Sequence, residues 1–172
     1  MGRASTKENK NVYFLKREEL GLTRDKASEL LESIPPERIE KIENERTQPH
    51  PDEVLVMAEK YKAPELCNYY CSNQCPIGQE YVPEVKVQDL SQIVLKMLSS
   101  LNAVQDNQRK FIDITADGVI SDDEIETFVD IQDNLEKISI TVETLQLWVE
   151  QMLANGEINA EKYEAVKAEK MK

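Results

Sequence analysis

Three thiols at a constant interval are the densest unusual chemistry in this chain of 172 residues. Cys67, Cys71 and Cys75 are its only cysteines. On an uninterrupted helix, a spacing of four would put all three on one face. Three thiolates in a reducing compartment are ligands for zinc or an iron–sulfur cluster, with His50 or an outside group as the fourth. The paired spacing that marks a zinc knuckle is absent, however, and His50 sits between Pro49 and Pro51 as loop histidines often do. In the plainer reading, small thiols together with Tyr69 and Tyr70 close the end of a core. An odd cysteine count argues against a fixed disulfide framework. Pro76 and Gly78 are expected to end the cysteine helix near Asn73.

A second constellation runs through residues 113–124. Asp113, Thr115, Asp117, Ser121 and Glu124 fall on ligand positions of an EF-hand calcium loop, with Gly118 where that loop needs its glycine. The stretch ADGVIS at 116–121 is echoed by ANGEIN at 154–159, where the early ligand positions are lost. Both stretches read as helix punctuation. A left-handed glycine ends one helix, and Ser121 or Asn159 caps the next, Ser121 forming a capping box with Glu124. Calcium is not expected. Nor is catalysis: there is no Ser-His-Asp set, phosphate-cradling loop, dinucleotide glycine fingerprint or histidine pair for a metal hydrolase.

The elements that must position these residues are helical. With 40% apolar and 31% charged residues, and few Gly or Pro between long periodic runs, the chain reads as all-α. No apolar run reaches the length of a membrane span, and no secretory signal precedes the first helix, so a cytoplasmic location is expected. The opening Met1, Gly2 and Thr6 fit the bare pattern for N-myristoylation, which is set aside.

The net charge of −12 is unevenly spread. Residues 1–9 contribute +1, residues 10–66 contribute −3 from ten Lys or Arg against thirteen Asp or Glu, and the remainder −10. The second half should therefore repel nucleic acid and anionic membrane and serve as a partner or assembly surface.

In the first half, Val12, Phe14, Leu15 and Leu20 suggest a first helix. Thr23 caps a second, with Ala27, Leu30 and Leu31 on its apolar face. Pro35 and Pro36 break the chain, and Pro36 suits the first turn of a third helix whose Ile39 and Ile42 face inward. That leaves Glu37, Arg38, Glu40, Lys41, Glu43, Asn44 and Glu45 outward. Asp52 is expected to cap a fourth helix bearing Val54, Leu55, Met57, Ala58 and Tyr61.

Residues 12–66 resemble the Cro/C1-type (XRE family) helix-turn-helix regulators of bacteria and phages. The resemblance is carried by LKREELGLTRDKA and RIEKIENERTQPHPDEVLVMAEKY. A glycine precedes the second helix, an alanine lies inside it, I-x-x-I-E closes the third, and a proline comes just before the fourth. The resemblance implies a five-helix domain over residues 10–70 whose third helix, 36–44, enters the major groove of double-stranded DNA. Arg24, Lys26, Pro36, Glu37, Arg38, Lys41 and Arg46 would then be its contact residues, with Lys16 and Arg17 as further cations.

After a cysteine-containing linker at 71–86, residues 87–172 read as a coiled-coil-like antiparallel hairpin closed by a short helix from Ala160. A first rod carries Leu90, Ile93, Val94, Met97, Leu98, Leu101, Val104, Phe111 and Ile112. A second, from Ser121, repeats Phe128, Leu135, Val142 and Val149 every seven residues, with Ile131, Ile138, Leu145 and Met152 three residues on. Two helices alone leave apolar stripes uncovered, so a homodimer is expected. The leading expectation is a dimeric DNA-binding transcriptional regulator. The alternatives are a protein-interaction adaptor that keeps the fold without binding DNA, and a cysteine-based metal or redox sensor.

Overall fold

A computed structural model describes residues 10–106, 108–115 and 118–170. The Gly2 pattern, Asp117 and the side chain of Thr115, two of the calcium-loop positions, lie outside the described residues. The chain is all-helical, with ten helices and no strand among the described residues. They are α1 (Val12–Glu19), α2 (Arg24–Leu31), α3 (Pro36–Glu43), α4 (Pro51–Lys60), α5 (Glu65–Asn73), α6 (Pro76–Tyr81), α7 (Leu90–Asp106), α8 (Gln108–Thr115), α9 (Ile125–Ala154) and α10 (Ala160–Lys170). None is long and apolar enough to cross a membrane.

The chain divides into two compact units. One takes the residues up to Glu84 together with those from Glu150 on; the other is Val85–Val149. The residue pattern suggests a single domain for everything after residue 87. In the structure, the last turn of α9 and all of α10 cluster with the first unit instead. Gln151 Nε2 donates to the Lys62 carbonyl, just past α4, at 3.1 Å.

The first unit is built on one cluster of Tyr13, Ala27, Leu31, Ile34, Ile39, Ile42, Val54, Met57, Ala58, Tyr61, Ala63 and Leu66. Complete burial of large aliphatic side chains such as Leu31, Ile39 and Ile42 stabilises each by about 1.5–3 kcal/mol. Thr23 caps α2 as its sequence position suggests, its hydroxyl accepting from the Lys26 N–H at 3.3 Å. Pro36 occupies the first turn of α3, where no intrahelical donor is lost.

Several inward assignments change. Leu15, Leu20, Leu30 and Leu55 are exposed, because each helix buries a narrower stripe than its apolar content allows. Tyr13 is buried in their place. Ile34, in the four-residue turn between α2 and α3, points into the core and pins that turn. Asp52 is not the cap of α4: His50 is, with its backbone N–H donating to Glu53 Oε2 at 2.6 Å.

Four helices end in the same way. After α1, α3, α4 and α9 the chain turns to positive φ at Gly21 (66°), Glu45 (57°), Lys62 (53°) and Gly156 (76°). In each case that residue and the next donate back to two carbonyls of the last turn. For α3, the Glu45 N–H reaches Ile42 O at 3.0 Å and the Arg46 N–H reaches Lys41 O at 2.9 Å. The glycine at 156 thus punctuates the chain as expected, and Asn159 caps α10, accepting from the Lys162 N–H at 2.9 Å. Gly118 likewise has positive φ, and Ser121 donates to Glu124 from both backbone and hydroxyl, at 2.9 and 2.5 Å.

In the second unit, the rod expected from 87 to about 115 is helical over the described residues Leu90–Asp106 (α7) and Gln108–Thr115 (α8), and the rod expected from Ser121 begins its helix at Ile125. The heptad column is covered only in part. Ile131 is buried while Leu135 and Val142 are exposed, and Thr141, Thr144 and Leu147 are buried on other sides of α9. On α7, Ile93 is fully buried, whereas Leu90, Val94, Leu98 and Leu101 form an exposed apolar row.

Candidate nucleic-acid interface

The α2 and α3 helices, eight residues each, follow one another across residues 32–35 and share a core with α1 and α4. The start of α1 is tied to the end of α3 by Asn11. Its Oδ1 accepts from the Phe14 N–H at 3.0 Å, and its Nδ2 donates to Ile42 O at 2.8 Å.

At the centre of these three helices is a buried ionic cluster that periodicity alone does not reveal. Arg17 of α1 donates through Nε and Nη2 to the two oxygens of Glu43 on α3, and through Nη1 to Leu22 O at 2.6 Å. Arg24 of α2 adds a third donor to Glu43 Oε2 at 2.9 Å. Glu43 is therefore not on the outward face of α3 but 3% exposed. A carboxylate can be held at that depth only with its oxygens paired in this way. Tyr61 lies close by. Burial and the Glu43 charge push its hydroxyl pKa up to about 12.

The sequence-predicted contact residues fall into two groups. Those already engaged are Arg24, on Glu43, and Arg38 and Arg46. Arg38 Nε and Nη2 each donate to a Glu53 oxygen at 2.7 Å, Nη1 to Thr47 Oγ1 at 2.8 Å, and Nη2 also to Gln48 O at 3.0 Å. The Arg38 guanidinium, aided by the His50 N–H, holds the Glu53 carboxyl below its usual range. Arg46 reaches Glu40 more loosely, at 3.8 Å. Of the further cations, Lys16 pairs with Glu65 at 2.6 Å and Glu19 at 3.0 Å, and Arg17 is buried.

The residues left outward are Lys26 in the first turn of α2, Glu37 in the first turn of α3, and Lys41 near its end, with Pro36 half-buried. Among the described residues, neither Lys26 nor Lys41 has a carboxylate partner.

The cysteine helix ends at Asn73, as its sequence suggests, and the three cysteines do not form the one-face row of the metal-binding alternative. Cys67 and Cys71 lie on α5, while Cys75 precedes Pro76 as the N-cap of α6, a helix that the residue pattern does not suggest. All three are half-buried free thiols. Among the described residues, no three His, Cys, Asp or Glu side chains are grouped so as to hold a metal ion, and these sulfurs are no exception. The reason is local: Gln74 ends α5 and Pro76 starts a new helix, so the one-face geometry of an uninterrupted helix does not extend to Cys75.

Instead, α5 and α6 pack backbone to backbone. A Cβ at Gly78 would lie 2.0 Å from the Cys71 carbonyl oxygen. Burial, with the Cys71 and Glu150 charges, pushes the Cys67 thiol up. Tyr13 crosses this end of the core, its hydroxyl donating to Gln74 Oε1 at 2.8 Å and its ring meeting Tyr69 edge-on at 6.1 Å.

No protein-family model, curated protein or solved structure matches the chain.

Proposed function

We propose that the chain is a DNA-binding transcriptional regulator of the Cro/C1 helix-turn-helix type. In this reading α1 to α5 form the five-helix domain, α2 lies across the DNA backbone, and α3 reads the major groove. The observation that supports it is the pair of consecutive eight-residue helices on one core, with Lys26, Glu37 and Lys41 exposed and Pro36 half-buried on them. Lys26 and Lys41 would make the phosphate contacts, in place of the engaged Arg24 and Arg38.

The helices of 85–149 pair two copies as a coiled-coil-like hairpin, covering the exposed row Leu90, Val94, Leu98 and Leu101. Pairing doubles the cations presented to DNA and sets the distance between half-sites.

A second reading, a protein-interaction adaptor on the same frame, is favoured by one observation. Glu53 holds Arg38, the only cation at the start of α3, and leaves Glu37 as the exposed charge there.

Fluorescence anisotropy with pooled genomic fragments at several salt concentrations separates the two readings. The regulator binds with an affinity that falls steeply with salt. A Lys26→Ala, Lys41→Ala variant lowers the slope by about 0.9 for each phosphate that is no longer neutralised. Absence of binding at low salt removes the regulator and leaves the adaptor.

A further inference from the structure

The second unit is strongly acidic, with twelve Asp and Glu against five Lys and Arg in residues 85–149. Two of those five cations nevertheless face the same space. Lys96 of α7 and Lys137 of α9 line an open cavity of about 280 Å³ with Ser99, Ser100, Ile140 and Thr141.

Neither ammonium is strongly neutralised. Lys96 Nζ donates to the neutral Gln88 Oε1 at 2.7 Å. Lys137 pairs with Asp133 one turn earlier on its own helix, but both side chains are more than half exposed, and ion pairs of that kind hold weakly.

The hydroxyls divide the remaining work. Ser100 Oγ and Thr141 Oγ1 donate to carbonyls of their own helices, Lys96 O at 3.0 Å and Lys137 O at 2.7 Å. Among the described residues the Ser99 hydroxyl has no hydrogen-bond partner, so its donor is free. Two positive charges and a hydroxyl donor around one recess are matched by an oxyanion. A phosphate monoester, with a charge approaching −2 at neutral pH, can engage both lysines at once, drawing Lys137 from its exposed Asp133 pair, where a carboxylate engages one. The volume lies at the lower edge of ligand pockets and suits a small phosphorylated molecule better than a dinucleotide.

We propose that this cavity between α7 and α9 binds a small phosphate-bearing ligand. The proposal does not rest on the DNA-binding reading and stands or falls separately from it. It is tested on the full chain with inorganic phosphate as the probe, by thermal unfolding and isothermal titration, with chloride and acetate at matched ionic strength as controls. Saturable stabilisation by phosphate, absent with chloride and weaker with acetate, is expected. Lys96→Gln and Lys137→Gln should each weaken phosphate binding by about tenfold, as removal of one charge-assisted hydrogen bond does, while leaving the helical circular-dichroism signal unchanged. Phosphate that acts no differently from chloride, or binds the double variant as well as the parent chain, overturns the proposal. If acetate matches phosphate, the class of ligand is wrong and the proposal falls.

Discussion

Arg17 grips Glu43 with two donors, Nε to Oε1 at 2.5 Å and Nη2 to Oε2 at 3.0 Å, in a pair 26 residues apart that links α1 to α3. With both side chains withdrawn from water, removing one partner strands the other. Glu43→Ala is expected to cost about 3–5 kcal/mol in urea unfolding. Replacing both with apolar residues, Arg17→Met with Glu43→Leu, should recover most of that loss, although Arg24 is then left without its acceptor. Equal losses for the single and double variants would contradict this account.

The Arg38 and Glu53 pair predicts a pH dependence. Because the folded state lowers the Glu53 pKa, chiefly through Arg38, the associated stability is fully present above the unfolded carboxyl value of about 4.3. It is lost as pH falls through the lowered folded value. Glu53→Gln should flatten the acid limb of a plot of melting temperature against pH, and should cost about 1–2 kcal/mol at pH 7. An unchanged acid limb would show that Glu53 is not a source of the acid sensitivity.

Gly78 and Gly156 are glycines for different reasons, and alanine should separate them. At Gly78 the added methyl meets the Cys71 carbonyl, so α6 must move off α5, with an expected loss of about 1–3 kcal/mol. At Gly156 the space is open and only the positive φ resists, which costs about 1 kcal/mol. Thermal melts of the two variants give the order directly.

Cys67 should be a sluggish nucleophile. Its thiol is raised by burial first and by neighbouring charge second, so less thiolate is present at pH 8. Alkylation by iodoacetamide, followed by peptide mass spectrometry, should be roughly tenfold slower at Cys67 in the folded chain than in the urea-unfolded chain. Similar rates in both would mean the site is open.

The proposed pairing of two copies would run through the α7 row. Val94→Glu with Leu98→Glu places charge in the middle of it and should shift the protein to monomer in multi-angle light scattering, with helix content retained. A parent chain that is already monomeric at micromolar concentration would remove this part of the reading.

How much of this can be read from residue order depends on the range of the forces involved. Thr23, Pro36, Asn159 and the glycine at 156 act within one turn of the chain, and their roles follow from residue type and position alone. Ile39 and Ile42 follow from helical spacing, with Pro36 to set the register. Glu43 does not, because a carboxylate three residues before Arg46 looks like any solvated charge until α1 brings Arg17 against it. Ile34 is hidden in a turn, where no periodicity operates. Lys96 and Lys137, 41 residues apart, come to line one cavity only when their helices are neighbours. The helix α6 is obscured because Pro76 reads equally as the end of one helix and the start of another.

The two charged residues among the four matching helix ends point to an unclaimed margin. Glu45 and Lys62 hold positive φ against the crowding of their own Cβ atoms, in seats that glycine fills after α1 and α9. Glu45→Gly and Lys62→Gly would each relax that crowding and, after the extra freedom glycine gives the unfolded chain, should still gain about 0.5–1 kcal/mol. Those two corners hold stability in reserve, which single substitutions can release without touching the core.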